Sequence, residues 1–121
     1  MEPLSLVVYQ HDPRTAHTLA VSLSQHFGPV YAAGKQEDVR TAVARHRADV
    51  LVLDVESSRS DEVGRLHNEF PSLCIVATHR LADDELWTEA MNQGAADVCQ
   101  PHDDQVVRSV LRGRAQRAAA A

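Results

Sequence analysis

The stretch Val50-Leu51-Val52-Leu53-Asp54-Val55 constrains the fold of this chain more than any other segment. An aliphatic, β-branched run with no polar alternation suits a strand covered on both faces, which is the setting of a central parallel strand. Four further apolar runs share its length scale: Leu4–Tyr9, Val30–Ala33, Cys74–Thr78 and Ala96–Cys99. Between them lie segments whose apolar residues recur at helical spacing. The first opens with Asp12-Pro13, an N-cap followed by proline at the first helical position. It continues through Ala16, Leu19, Ala20, Leu23 and Phe27. The second carries Val39, Ala42 and Val43, and the third carries Val63, Leu66 and Phe70. The fourth starts near Asp83, runs through Leu86 and Ala90, and stops at Gly94, a residue suited to the position just past a helix end. The last holds Val106, Val107, Val110 and Leu111.

Strands alternating with helices of this length predict βαβ units, and right-handed crossovers then predict an α/β fold. The expected architecture is a doubly wound five-stranded parallel sheet with helices on both faces, of the flavodoxin-like type. Such sheets carry their functional site beyond the carboxyl ends of the strands, where the strand order reverses. The residues that fall there are Gln10, His11 and Asp12 after the first strand, and Asp54, Val55 and Glu56 after the third. Thr78 and His79 follow the fourth, and Gln100 and Pro101 the fifth.

A length of 121 residues predicts one domain, expected over residues 1–112 with 113–121 as a tail or the start of a linker. Hydrophobic residues at 44% and charged residues at 24% exclude a disordered chain. A net charge of −5 and an aromatic content of 4% argue against direct nucleic-acid binding by this domain. Leu4–Tyr9 is too short for a signal segment or a membrane span, so no membrane association is expected. Cys74 and Cys99 form neither a metal spacing nor a disulfide framework, which points to a reducing cytoplasm and to both thiols as packing residues. The segment after the first strand, QHDPRT, has no glycine, which argues against a phosphate-binding loop and against a nucleotide- or flavin-dependent enzyme. Eleven of the twelve basic residues are arginine, and Lys35 is the single lysine. Any mechanism that needs a lysine elsewhere is therefore closed.

The strand-end residues taken together resemble those of bacterial response-regulator receiver domains, the CheY-like family. The features that carry the resemblance are Asp54 closing its strand, the polar run before Asp12-Pro13, Thr78 at the end of the fourth strand, and Gly94-Ala95-Ala96-Asp97 leading to Gln100-Pro101. The resemblance covers about Leu4 to Arg112. It implies a phosphoacceptor at Asp54, a switching hydroxyl at Thr78, Mg²⁺ held by an acidic pair together with the acceptor, and a lysine before a cis-proline. Phosphoryl transfer to a carboxylate brings anions together, so these cations carry most of the chemistry.

The chain departs from that pattern at most of these positions. Gln10 and His11 stand where the acidic pair is implied, and Asp12 caps the first helix instead. Gln100, or Cys99 in a segment one residue short, stands for the lysine. His79 follows the hydroxyl position and is expected to line or crowd the acceptor together with Glu56. The chain thus resembles an atypical, degenerate pseudo-receiver, a signalling module rather than an enzyme. It is expected to act through protein–protein contacts with little Mg²⁺-dependent phosphorylation and with no cofactor. A working phosphoacceptor receiver phosphorylated on Asp54 is the first alternative. A small flavodoxin-like ligand- or metal-binding domain is the second. In it His11, His79 and Asp54 would suit a transition metal such as Zn²⁺ better than Mg²⁺.

The expected partners are a protein or an attached output domain, with a homodimer and a sensor kinase as open possibilities. Trp87 and the arginines Arg108 and Arg112 on one face of the last helix are the candidate interaction residues. Together with Arg114 and Arg117, those arginines also suit cations that stabilise the end of that helix.

Overall fold

A computed structural model describes residues 3–120, with side chains through Gln116. Five parallel strands, β1 (Leu6–Tyr9), β2 (Val30–Ala32), β3 (Val50–Asp54), β4 (Cys74–Thr78) and β5 (Asp97–Cys99), alternate with five helices. The helices are α1 (Pro13–His26), α2 (Val39–His46, entered through a 3₁₀ turn at Gln36–Asp38), α3 (Glu62–Glu69), α4 (Asp84–Gln93) and α5 (Asp103–Ala120). The sheet order is β2-β1-β3-β4-β5, so the chain reverses direction across the sheet between β1 and β3. All pairings are parallel, and the β3–β4 register sets Asp54 opposite Thr78.

Every residue of β1, β3 and β4 is buried, the expected result for runs without polar alternation. Because successive side chains point to opposite faces, the strands feed two cores. Val7, Leu51, Leu53, Ile75 and Ala77 pack with Val39 and Val43 of α2, Val63 and Leu66 of α3, and Ala90 of α4. Leu6, Val8, Val50, Val52, Cys74 and Val76 pack with Leu19 and Leu23 of α1 and with Val106 and Val110 of α5. The expected three-layer α/β architecture is the observed one.

The helix ends follow the local chemistry. Asp12 caps α1 by accepting from the Arg14 amide at 3.3 Å and from the Thr15 hydroxyl at 2.8 Å. Asp83 caps α4 by accepting from the Leu86 amide at 2.9 Å. Gly94 ends α4 at φ 114°, a left-handed conformation, and a Cβ there would stand 2.4 Å from the His67 ring.

The carboxy-terminal expectation needs correction. Residues 113–120 continue α5 rather than forming a tail. The alanines and arginines beyond Gly113 are strong helix formers with no breaker among them. Gly113 itself is buried, and a Cβ on it would meet Ala96 at 2.9 Å and Cys74 at 3.0 Å, so the packed domain extends past Arg112. Residue 121 lies outside the described residues.

Candidate functional site

The reversal between β1 and β3 leaves a crevice at their carboxyl ends. A cavity of about 310 Å³ opens there, and its walls include Gln10, His11, Asp12, Asp54, Glu56 and Arg80. Five of these, all but Arg80, are the residues that chain position places at this edge of the sheet.

Asp54 closes β3 with 7% of its surface exposed, and both carboxylate oxygens are engaged. Oδ2 accepts from the His11 amide at 3.0 Å and the Ser57 hydroxyl at 3.1 Å, and Oδ1 accepts from the Glu56 amide at 3.0 Å. The Ser58 hydroxyl bonds the Asp54 carbonyl at 2.7 Å. The serine-rich connection after β3 therefore folds back on the aspartate and fixes its rotamer. Tyr9, buried on the neighbouring strand, has its phenol pushed up by burial and by the Asp54 charge.

Thr78 is 1% exposed and stands opposite Asp54 in the sheet. Its hydroxyl accepts from Gln10 Nε2 at 2.8 Å and reaches the Leu53 carbonyl at 3.4 Å. Gln10, at 6% exposure, is a buried amide at the cavity wall that spends its donor on the hydroxyl. Asp12 points its carboxylate at the start of α1, and the Thr15 hydroxyl bond, helped by amide bonds and Arg14, holds it below the usual carboxylate range.

Arg80 is the residue that position-by-position reading of the strand ends missed. Its Nε donates to Glu56 Oε1 and Oε2, both at 3.1 Å, and its amide donates to Glu56 Oε2 at 3.2 Å. Burial works against the charge on Glu56, but the Arg80 bonds and the neighbouring His79 and Arg80 outweigh it and hold the carboxyl below its ordinary value. A signal for this pair does exist in the sequence. Glu56 and Arg80 lie two residues beyond Asp54 and Thr78, so pairing those strand ends brings opposite charges together. Gln100, at the lysine position, bonds the Arg80 carbonyl through Nε2 at 2.7 Å and is itself braced by Gln105 at 3.3 Å. Among the described residues no peptide bond is cis, so Gln100–Pro101 is trans, unlike the cis form the resemblance implies. Pro101 forms part of the cavity wall.

His79 does not line the acceptor cavity. Its ring turns to a separate cavity of about 280 Å³ between the β3–α3 connection and α4, where Glu56 reaches it. Its Nδ1 accepts from the Leu81 amide at 3.0 Å, a local bond that fixes this direction. The candidate metal set of His11, His79 and Asp54 is therefore split between two cavities. Among the described residues no three His, Cys, Asp or Glu side chains converge as metal ligands. At the two positions where the resemblance implies a carboxylate pair for Mg²⁺, the crevice has a buried amide and an imidazole, and Asp12 beside them is engaged in capping α1.

The candidate interaction residues divide as well. Trp87 on α4 is 47% exposed and Arg108 is exposed, paired with Asp104 at 3.2 Å. Arg112 is tied at 2.8 Å to Asp97, a carboxylate with 7% of its side-chain surface exposed, and so neutralises a buried charge. Since α5 runs to Ala120, both arginines sit mid-helix, beyond the reach of an end effect. The side chain of Arg117 lies outside the described residues. Cys99 lines the groove beside α5, and burial pushes its thiol up despite a hydrogen bond to Ser109, as a packing cysteine requires. Among the described residues no helix is long and apolar enough to cross a membrane.

Comparison with solved structures defines the fold class. The beryllofluoride-activated DrrB receiver domain superposes with a TM-score of 0.71 at 19% identity, covering 99% of this chain and 100% of that one. The signal receiver domain of a MerR DNA-binding response regulator from Colwellia psychrerythraea gives 0.77 at 14% identity, covering 98% and 99%. NtrX from Brucella abortus, solved in complex with ADP, gives 0.80 at 16% identity over 98% of this chain. This chain spans 29% of the NtrX chain. The protein has the receiver fold of response regulators. No protein-family profile matches the chain, and no curated protein matches it by sequence.

Proposed function

We propose that this is a receiver-like signalling domain of a two-component response regulator that works through protein contacts and has lost Mg²⁺-dependent phosphorylation of Asp54. The observation that carries the reading is the buried hydrogen bond from Gln10 Nε2 to Thr78 Oγ1 at 2.8 Å. It commits the hydroxyl that a phosphoryl switch needs, and it puts a neutral amide where a metal-binding carboxylate belongs. The engaged oxygens of Asp54 and the absence of any lysine but Lys35 support the same reading. The domain is a signalling module rather than an enzyme. Its output passes to an attached domain or a protein partner. Trp87 and Arg108 belong to the face offered for that contact, and Arg112 supports it from beneath through Asp97.

The test is incubation with acetyl phosphate and Mg²⁺ followed by intact mass. The expected result is an unchanged mass. A stoichiometric gain of one phosphoryl group that is lost in Asp54→Asn would overturn the proposal in favour of a working phosphoacceptor.

A further inference from the structure

The loop between β4 and α4 is fastened at Arg80 by Glu56 and Gln100, and at Leu81 by the His79 imidazole. The Leu81 amide donates to His79 Nδ1 at 3.0 Å, so that nitrogen carries a lone pair. The ring is then neutral, with its proton on Nε2. Nε2 lies 3.8 Å from Glu56 Oε1, and Glu56 in turn holds the amide and guanidinium of Arg80 at the wall of the Asp54 cavity. Ala82 follows at φ 43°, a left-handed conformation without the freedom of glycine. Such a backbone persists only where its surroundings hold it. The fastenings nearest Ala82 are the Leu81 bond on one side and the Asp83 cap of α4 on the other. Between them Leu81 is held 74% exposed, an unusual position for a large aliphatic side chain next to a groove of about 500 Å³.

We propose that the His79–Asp83 loop is a proton-operated strap, released when His79 takes up a proton. A proton from solvent binds Nδ1, the only ring nitrogen with a free lone pair, and the acceptor of the Leu81 amide is gone. Two donors then face each other, the Leu81 amide leaves, and Ala82 is free to relax from its left-handed conformation. The imidazolium is drawn to Glu56 and competes with Arg80 for that carboxylate, loosening the wall of the Asp54 cavity. The charged groups around the ring are Glu56 and Arg59 from the β3–α3 connection, Glu89 from α4, and Arg80 from the loop itself. Histidine in general changes charge between about pH 5 and 8. The loss of the Leu81 acceptor follows protonation. The strap operates whether or not Asp54 is ever phosphorylated.

The test uses the full chain and amide NMR spectra from pH 5 to 8. In the wild type the Arg80, Leu81 and Ala82 amide resonances are expected to move together with the His79 ring. Leu81 protection against hydrogen exchange, corrected for the intrinsic rate, should fall about tenfold as its bond is lost. His79→Asn is the decisive variant. Its side-chain oxygen can accept from the amide two residues on, as in an Asx turn, but it cannot titrate. In that variant the three amides should stop responding to pH and Leu81 should keep its high-pH protection. The variant leaves the other six histidines in place, so a loop transition that survives it belongs to one of them and overturns the proposal. A wild-type Leu81 amide that stays protected at pH 5 while the His79 ring titrates overturns it too.

Discussion

Replacing Thr78 by valine tests the buried bond on which the functional reading depends. Valine keeps the β-branched shape and the strand preference of threonine, so the change removes a hydroxyl and little else. Thr78 is 1% exposed and Gln10 6%, so water does not replace the lost acceptor. A buried donor left without its partner costs about 1–3 kcal/mol. For a domain of this size each kcal/mol moves the melting temperature by on the order of 3–5 °C, so Thr78→Val should melt roughly 5–10 °C below the wild type. Gln10→Leu removes the donor instead and leaves a hydroxyl that still reaches the Leu53 carbonyl at 3.4 Å, so its loss is smaller, about 1 kcal/mol. In the double variant neither group is orphaned, and its loss should fall short of the sum by about 1–2 kcal/mol. Urea unfolding of all four proteins, with equal m-values, reads this coupling directly. Losses that add to within about 0.5 kcal/mol would refute the claim that Gln10 and Thr78 act as one buried pair.

Three other outcomes follow from the same structure. Gly94→Ala combines a left-handed φ of 114° with a Cβ 2.4 Å from the His67 ring, and should cost more than about 2 kcal/mol in urea unfolding. Arg112→Ala strips the partner from the buried Asp97 carboxylate and should cost about 2 kcal/mol, reduced from a fully buried pair because Arg112 is itself 58% exposed. Adding Asp97→Asn to it should recover part of that loss. Glu56 has a folded-state carboxyl held below its ordinary value of 4.5, so its contribution to stability is complete above that pH and disappears as pH falls through the lower folded value. Glu56→Gln should therefore flatten the acid limb of a stability–pH curve, and an unchanged limb would count against the Arg80–Glu56 latch.

Much of the architecture is legible in the chain because β3 and β4 are apolar at every position but their last, and that pattern admits few other environments. The strand bounds drift by one or two residues at β1, β2, β3 and β5, where pairing rather than composition decides the end, and only β4 matches at both ends. The break at Arg112 failed for a different reason. A run rich in alanine and arginine reads as a tail by composition, yet helix propensity carries α5 on and Gly113 gives it a close contact with the sheet. Chain position alone places Asp54, Thr78, Gln10 and His11 at the carboxyl edge of the sheet. It cannot find the direction of His79, which a bond to Leu81 decides, nor the partner of Arg112.

The sequence by itself determined the α/β alternation, the positions that reach the carboxyl edge of the sheet, and the lack of a lysine near it. Those properties are set by periodicity and by residue type, which need no coordinates. Only the tertiary structure decided what each polar group does there. Gln10 turns inward to Thr78, Arg80 closes on Glu56, and His79 leaves the cavity it was expected to line. A buried hydrogen bond depends on distance and direction between strands far apart in the chain, and the β3–β4 register that supplies both exists only once the sheet has formed.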